Sequence, residues 1–212
     1  TGSNVTVTDL RVRESGPGIN GISVWGSRST LRRVVVERAG ATGIYYFAGT
    51  GHLLTDSTIR DPVRRPGLDS WGIYSGTAGS VTVRRNVVYG SGFANYAPRG
   101  SSVIEDNHFI VPADYRTDCA GRTVRDGPCQ CAEFGIALKS GNARIRRNVI
   151  AGYRTADPVC GGSGSPGAGI SVAGCAPNQT CPTSNVTIEG NTIINTHDGV
   201  YVSPRSTNIR IQ

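Results

Sequence analysis

The sequence predicts an all-β solenoid: seven to eight short coils stacked in one domain over residues 1–212. Three observations carry that prediction. An asparagine recurs in one setting, as VTVRRNVVYG around Asn86, VIEDNHFI around Asn107, ARIRRNVIAG around Asn148 and VTIEGNTII around Asn191. A glycine followed by a short apolar strand alternates with that setting. Composition agrees: with 29 Gly, no Met, one Lys and six Leu, Val, Ile and Thr carry the pattern, which favours strand.

The asparagine frame is apolar-x-apolar-x-x-Asn-x-apolar, and it extends along the chain. Its asparagine column reads Leu10, Val34, Ser57, Asn86, Asn107, Asn148, Asn191. The apolar residue three before it reads Val7, Leu31, Leu54, Val83, Ile104, Ile145, Ile188; the one two after reads Val12, Val36, Ile59, Val88, Phe109, Ile150, Ile193. Ile209 and Ile211 begin an eighth coil. The column spacings are 24, 23, 29, 21, 41 and 43 residues, so the long coils carry loops.

The glycine motif appears as Gly21-Ile22-Ser23-Val24, Gly43-Ile44-Tyr45-Tyr46, Gly72-Ile73-Tyr74, Gly135-Ile136-Ala137-Leu138, Gly169-Ile170-Ser171-Val172 and Gly199-Val200-Tyr201-Val202. The fourth coil is expected to hold only a degenerate version near Asn95-Tyr96. Each coil then has three short strands and tight corners, with inward Val and Ile stacking at about the 4.8 Å strand spacing. An asparagine buried at a corner is expected to bond backbone and the next asparagine. That makes the ladder scaffold, not catalyst. Glycine heading the second motif permits the corner.

Leucine-rich repeats share the asparagine frame but need leucines on a helical convex side, and six Leu in the whole chain exclude them. The repeat instead resembles the right-handed parallel β-helix of the pectin-lyase-like superfamily, over essentially the whole chain. Residues 1–9 enter a coil at once and Gln212 lies in mid-coil, so the expectation is a segment of a longer solenoid or an end-to-end self-association.

Insertions are expected at 60–70, 111–132 and 152–168, leaving the stack at one edge, with a fourth at 173–183. The first holds Arg60, Arg64 and Arg65. Six cysteines cluster from Cys119 to Cys181 without metal-ligand spacing. They read as disulfides of a secreted or cell-surface protein, with Cys175–Cys181 the most local pairing and free thiols the alternative. The formal net charge is +7. It suggests an anionic partner such as an acidic polysaccharide, or else arginine on a solvated face. Dispersed arginines argue against nucleic acid, and no apolar run is long enough to insert in a membrane. No cofactor is implied; calcium is the one ion left open.

Strand alternation assigns faces on the glycine strands. The outward columns read Ser23, Tyr45, Tyr74, Ala137, Ser171, Tyr201 and Trp25, Phe47, Gly76, Lys139, Ala173, Ser203. Trp25, Tyr45, Phe47 and Tyr74 therefore form an aromatic patch suited to sugar rings, with Lys139 and Tyr201 further along the same sheet. Arg64 and Arg65 are candidate substrate-binding residues beside it.

The resemblance implies a groove on one sheet that acts on polysaccharides, and the first reading is a secreted carbohydrate-active protein that cleaves an acidic polysaccharide by β-elimination. Cleavage of a uronan by β-elimination requires carboxylate neutralisation, removal of the C5 proton and protonation of the leaving oxygen. Lys139, in Leu138-Lys139-Ser140-Gly141-Asn142, is the candidate base or charge stabiliser, at a strand end where some β-helix lyases place a basic residue. Tyr74 is a candidate proton donor. His197 and Asp198 are candidates leading into the last glycine strand. Arg60–Gly67 fits a pectate-lyase string without its companion motif, and polygalacturonase and epimerase signatures are missing. The rival reading is a non-catalytic β-helix: an adhesin, a receptor-binding stalk or a self-stacking structural unit.

Overall fold

A computed structural model describes residues 2–61, 71–97, 100–112, 134–139, 141–153, 167–173 and 183–212. All six cysteines, Arg64, Arg65 and most of the four expected insertions lie outside the described residues. Strands of three to six residues follow one another with every third strand returning to the same sheet. Among the described residues three parallel sheets of eight, seven and seven strands result. They enclose one core, the architecture of a parallel β-helix.

The register is the one the repeat implies. Val7 pairs with Leu31, and the column continues through Leu54, Val83, Ile104, Ile145 and Ile188 to Ile211. In the second sheet Val12, Val36, Ile59, Val88, Phe109, Ile150 and Ile193 align in turn. Most of these side chains have no solvent exposure, and each fully buried one contributes about 1.5–3 kcal/mol.

One expectation needs correction. The fourth coil has a complete glycine motif, Gly92-Phe93-Ala94-Asn95. Phe93 pairs with Ile73 on one side and Ile136 on the other. The phenylalanine fills the core position that Ile or Val holds in the other coils.

The corner before the asparagine column has its own rule. Asp9, Arg33, Asp56, Arg85, Asp106, Arg147 and Gly190 all sit there in the left-handed region, with φ from 51° to 59°. The corner is strained for side-chain-bearing residues. It persists because its backbone N–H continues the ladder, as in Asp106 N–H to Arg146 O at 3.1 Å and Arg147 N–H to Glu189 O at 3.2 Å. The side chains alternate in charge, and Asp9–Arg33, Asp56–Arg85 and Asp106–Arg147 each pair at 2.7 Å.

The asparagine ladder forms as expected. Ser57, Asn86, Asn107 and Asn148 each donate a backbone N–H to the next asparagine Oδ1 at 2.9–3.0 Å. Each asparagine amide also reaches a carbonyl of the preceding coil, such as Leu54 O and Val83 O. Ser57 extends the ladder by accepting the Val34 N–H at 3.1 Å.

Candidate functional site

The outward face of the third sheet carries the candidate site. Ser23, Tyr45 and Tyr74 align there, followed by Ala94, Ala137, Ser171 and Tyr201. Just beyond the strand ends the ladder continues through backbone N–H groups of Phe47, Gly76, Tyr96, Lys139, Ala173 and Ser203. Both outward columns therefore have the composition the sequence implied, with two additions from the fourth coil, Ala94 between Tyr74 and Ala137 and one in the second column. Tyr96 stands between Gly76 and Lys139.

The aromatic side chains make one connected array. Trp25 stacks on Phe47 with centroids 4.1 Å apart and planes 7° from parallel, and Tyr45 covers Phe47 at 3.5 Å. Tyr74 lies 4.8 Å from Tyr45 at 58° and 5.5 Å from Tyr96 at 87°. Trp71 approaches Tyr96 edge-on at 6.1 Å. Lys139 closes the series with Nζ 4.2 Å from the Tyr96 centroid. At about 4.8 Å per coil, Trp25 to Lys139 spans four steps or roughly 19 Å.

Ring orientation matters for what the array can bind. The facing surfaces of Trp25 and Phe47 serve each other, while Trp25 remains 55% exposed. Tyr74 breaks the stack, and Gly76 makes the break possible. A side chain at Gly76 would meet the Tyr45 hydroxyl at 2.8 Å and Tyr74 Cε1 at 3.3 Å. The two tyrosine rings lean into the space that a β-carbon would take. Partial burial raises the Tyr45 hydroxyl pKa, so it stays a protonated donor.

Lys139 is the one charged residue on these two outward columns, so the array face is nearly neutral. Ala94, Ala137 and Ser171 point outward yet are 0–4% exposed, so the face is not open over the middle coils. Tyr201, two coils past Ala137, is 43% exposed. The arginines lie elsewhere and many are paired. Arg11 and Arg13 meet Glu37 at 3.0 and 2.8 Å, and Arg144 meets Glu189 at 2.7 Å. Arg146 meets Glu105 in the least exposed of these pairs.

The remaining candidates are not brought together. His197 Nδ1 lies 3.3 Å from Asp198 Oδ1, a local contact. Asp198 aligns through Ala168 with Phe134, five residues before Lys139. That separates the pair from the lysine by about 16 Å along the strand direction at ~3.3 Å per residue. Tyr74 and Lys139 are two coils apart with the Tyr96 ring between them. Among the described residues no group of three or more His, Cys, Asp or Glu is placed to hold a metal ion. No described helix is long and apolar enough to cross a membrane.

The model of a family described as right handed beta helix region matches residues 20–212. The chain belongs to the right-handed β-helix family. No curated protein and no solved structure matches it. Membership of that family fixes the hand and continuity of the coils, and leaves the activity to be argued from the array.

Proposed function

We propose that this right-handed β-helix protein binds a polysaccharide along the outer face of its third sheet. The observation that carries the reading is the connected array of Trp25, Tyr45, Phe47, Tyr74 and Tyr96 over four consecutive coils. Sugar C–H faces pack on the open face of Trp25 and across the break at Tyr74, while tyrosine hydroxyls and Ser23 offer hydrogen bonds. Lys139, an ammonium held over a ring, would meet a carboxylate at the far end of an acidic chain. A ligand of this kind places the protein at or outside the cell surface, where its cysteines would pair.

The geometry supports binding above cleavage. β-Elimination asks base and acid to reach adjacent positions on one sugar. Tyr74 and Lys139 are separated by a ring, and His197 and Asp198 sit at the other end of the strands. The test is calorimetric titration with neutral and uronate-containing polysaccharides, run beside ultraviolet detection of unsaturated uronate products. Binding that weakens at least about tenfold, ~1.4 kcal/mol, in Trp25→Ala and Tyr74→Ala supports the reading. Failure to bind any polysaccharide overturns it. Release of unsaturated products that stops in Lys139→Ala would replace binding by cleavage.

A further inference from the structure

The interior of coils two to four departs from the rest of the core. The inward column of the third sheet reads Val24, Tyr46, Ser75, Asn95, Leu138, Val172. It is apolar at both ends and polar in the middle. His52 faces the same region from the first sheet, where its column continues as Val81, Ser102, Ala143 and Val186. Tyr46, His52 and Ser75 are 0–1% exposed.

Asn95 is satisfied by protein alone, donating to Ser102 Oγ and accepting from the Ala97 N–H. Its neighbours are not. Among the described residues Tyr46 Oη, His52 Nδ1 and Ser75 Oγ are buried with no hydrogen-bond partner. The residues that carry them are neighbours: Tyr46 and Ser75 are ladder partners, and the Tyr46 and His52 ring centroids are 4.9 Å apart. Three such groups side by side would each cost about 1–3 kcal/mol, and native interiors rarely leave them so.

The donor set identifies what satisfies them. His52 Nε2 is 2.9 Å from Ala48 O, an acceptor only, so Nε2 carries the proton and Nδ1 is a lone-pair acceptor. The Tyr46 hydroxyl is a donor, and Ser75 can act either way. One water balances all three: it donates to His52 Nδ1, accepts from Tyr46 and exchanges a bond with Ser75. Two hydroxyls and a neutral imidazole bring no charge to offset a cation.

We propose that coils two and three enclose an ordered water bound by Tyr46 Oη, His52 Nδ1 and Ser75 Oγ, and that this site makes the strand beneath the aromatic array acid-sensitive. Tyr46 lies on the strand Ile44–Tyr46 with Tyr45, and Phe47 follows directly. Among the described residues Tyr46 is the one titratable group facing His52. The adjacent inward positions are Ser29 and Val81, the second sheet contributes Val36, Ile59 and Val88, and Arg28 at the nearby corner turns outward to Asn4. Protonation of Nδ1 removes the acceptor and puts a charge in the core.

Burial lowers the His52 pKa below its ordinary 6.5. A lowered histidine favours the fold fully above 6.5, and that stability is lost as pH falls below it toward the folded value. The site holds whether or not the array binds sugar, so its test does not depend on a glycan.

A high-resolution crystal structure should show one water within hydrogen-bond distance of all three atoms. Nitrogen-15 spectra of the histidine rings should show His52 as the Nε2–H tautomer, titrating below 6.5. A direct Tyr46–His52 hydrogen bond without water, or an Nδ1–H tautomer, overturns the proposal. The wild-type folding constant should fall as pH drops below 6.5, with faster amide exchange in Ile44–Tyr46. His52→Val, which places there the residue type of position 81, should flatten that dependence. An unchanged pH dependence in His52→Val overturns the acid-sensitive half. If that variant does not fold, Ser75→Ala, losing the water while His52 still titrates, serves in its place; retention of the water overturns the site.

Discussion

Asn86 gives Asn107 two hydrogen bonds at a single oxygen: its backbone N–H and its side-chain amide both reach Asn107 Oδ1 at 3.0 Å. Asn107 is fully buried and repeats the arrangement toward Asn148. Its amide also reaches back to Val83 O. One side chain thus ties three coils. Asn107→Ala orphans the Asn86 N–H, at ~2 kcal/mol, and removes the side-chain bonds to Val83 O and Asn148 Oδ1, at ~1 kcal/mol each. The expected loss is about 4 kcal/mol in denaturant unfolding. Asn191→Ala, at a half-buried rung, should cost roughly half that.

The glycine motif predicts a contrast that only packing explains. A β-carbon on Gly43 would lie 2.5 Å from Gly72 O and 2.6 Å from Ile59 Cγ2. Both neighbours are fixed, one by backbone and one by the core. Gly43→Ala should destabilise by about 1–3 kcal/mol. Gly199→Ala meets nothing within 4 Å and should stay within ~0.5 kcal/mol of the parent. Thermal unfolding of the two variants side by side checks this.

Much of this fold was legible because period and burial coincide. The Val7 and Val12 columns of the sequence are the paired columns of the sheets, residue for residue. The fourth coil departs from the expected motif because Phe93 stands where the other coils have Ile or Val. That departure hides Tyr96, which belongs in the Lys139 column. The polar interior was legible in principle, since His52 occupies a column position that Val81 fills one coil later. The meaning of the arginines was not. Net charge counts Arg33, Arg85 and Arg147 as a basic surface, whereas their αL corners set each beside an aspartate. A pairing across coils becomes visible only once the register is known.

Those corner pairs predict a second acid transition, separate from that of His52. Hydrogen bonds from Arg33, Arg85 and Arg147 hold the Asp9, Asp56 and Asp106 carboxyls below 3.8. A lowered carboxylate pKa contributes stability that is complete above the unfolded value and lost as pH falls through the folded one. The loss should therefore begin only below 3.8. The pairs are solvent-exposed, so each is individually small and screened by salt. Denaturant midpoints followed against pH should fall in that window, and Asp106→Asn, which forgoes the pair at every pH, should start slightly lower above 3.8 and fall less below it.

Gly76 decides whether the array or the sheet beneath it is the binding feature. It lies in the outward column between Phe47 and Tyr96, and its missing side chain admits the Tyr45 and Tyr74 rings. Gly76→Val adds apolar area to the face, so a generic hydrophobic surface would bind as well or better. An array that depends on the break at Tyr74 would instead lose affinity. The added methyls displace the Tyr45 hydroxyl, which a β-carbon alone would approach to 2.8 Å, and close the gap between Tyr74 and Tyr96. The change points outward and leaves the buried columns untouched, so thermal unfolding should shift by less than about 1 kcal/mol. Calorimetry with the polysaccharide that the parent binds should show at least a tenfold weaker constant, about 1.4 kcal/mol. Equal or tighter binding would mean that the ring arrangement itself has no part in recognition.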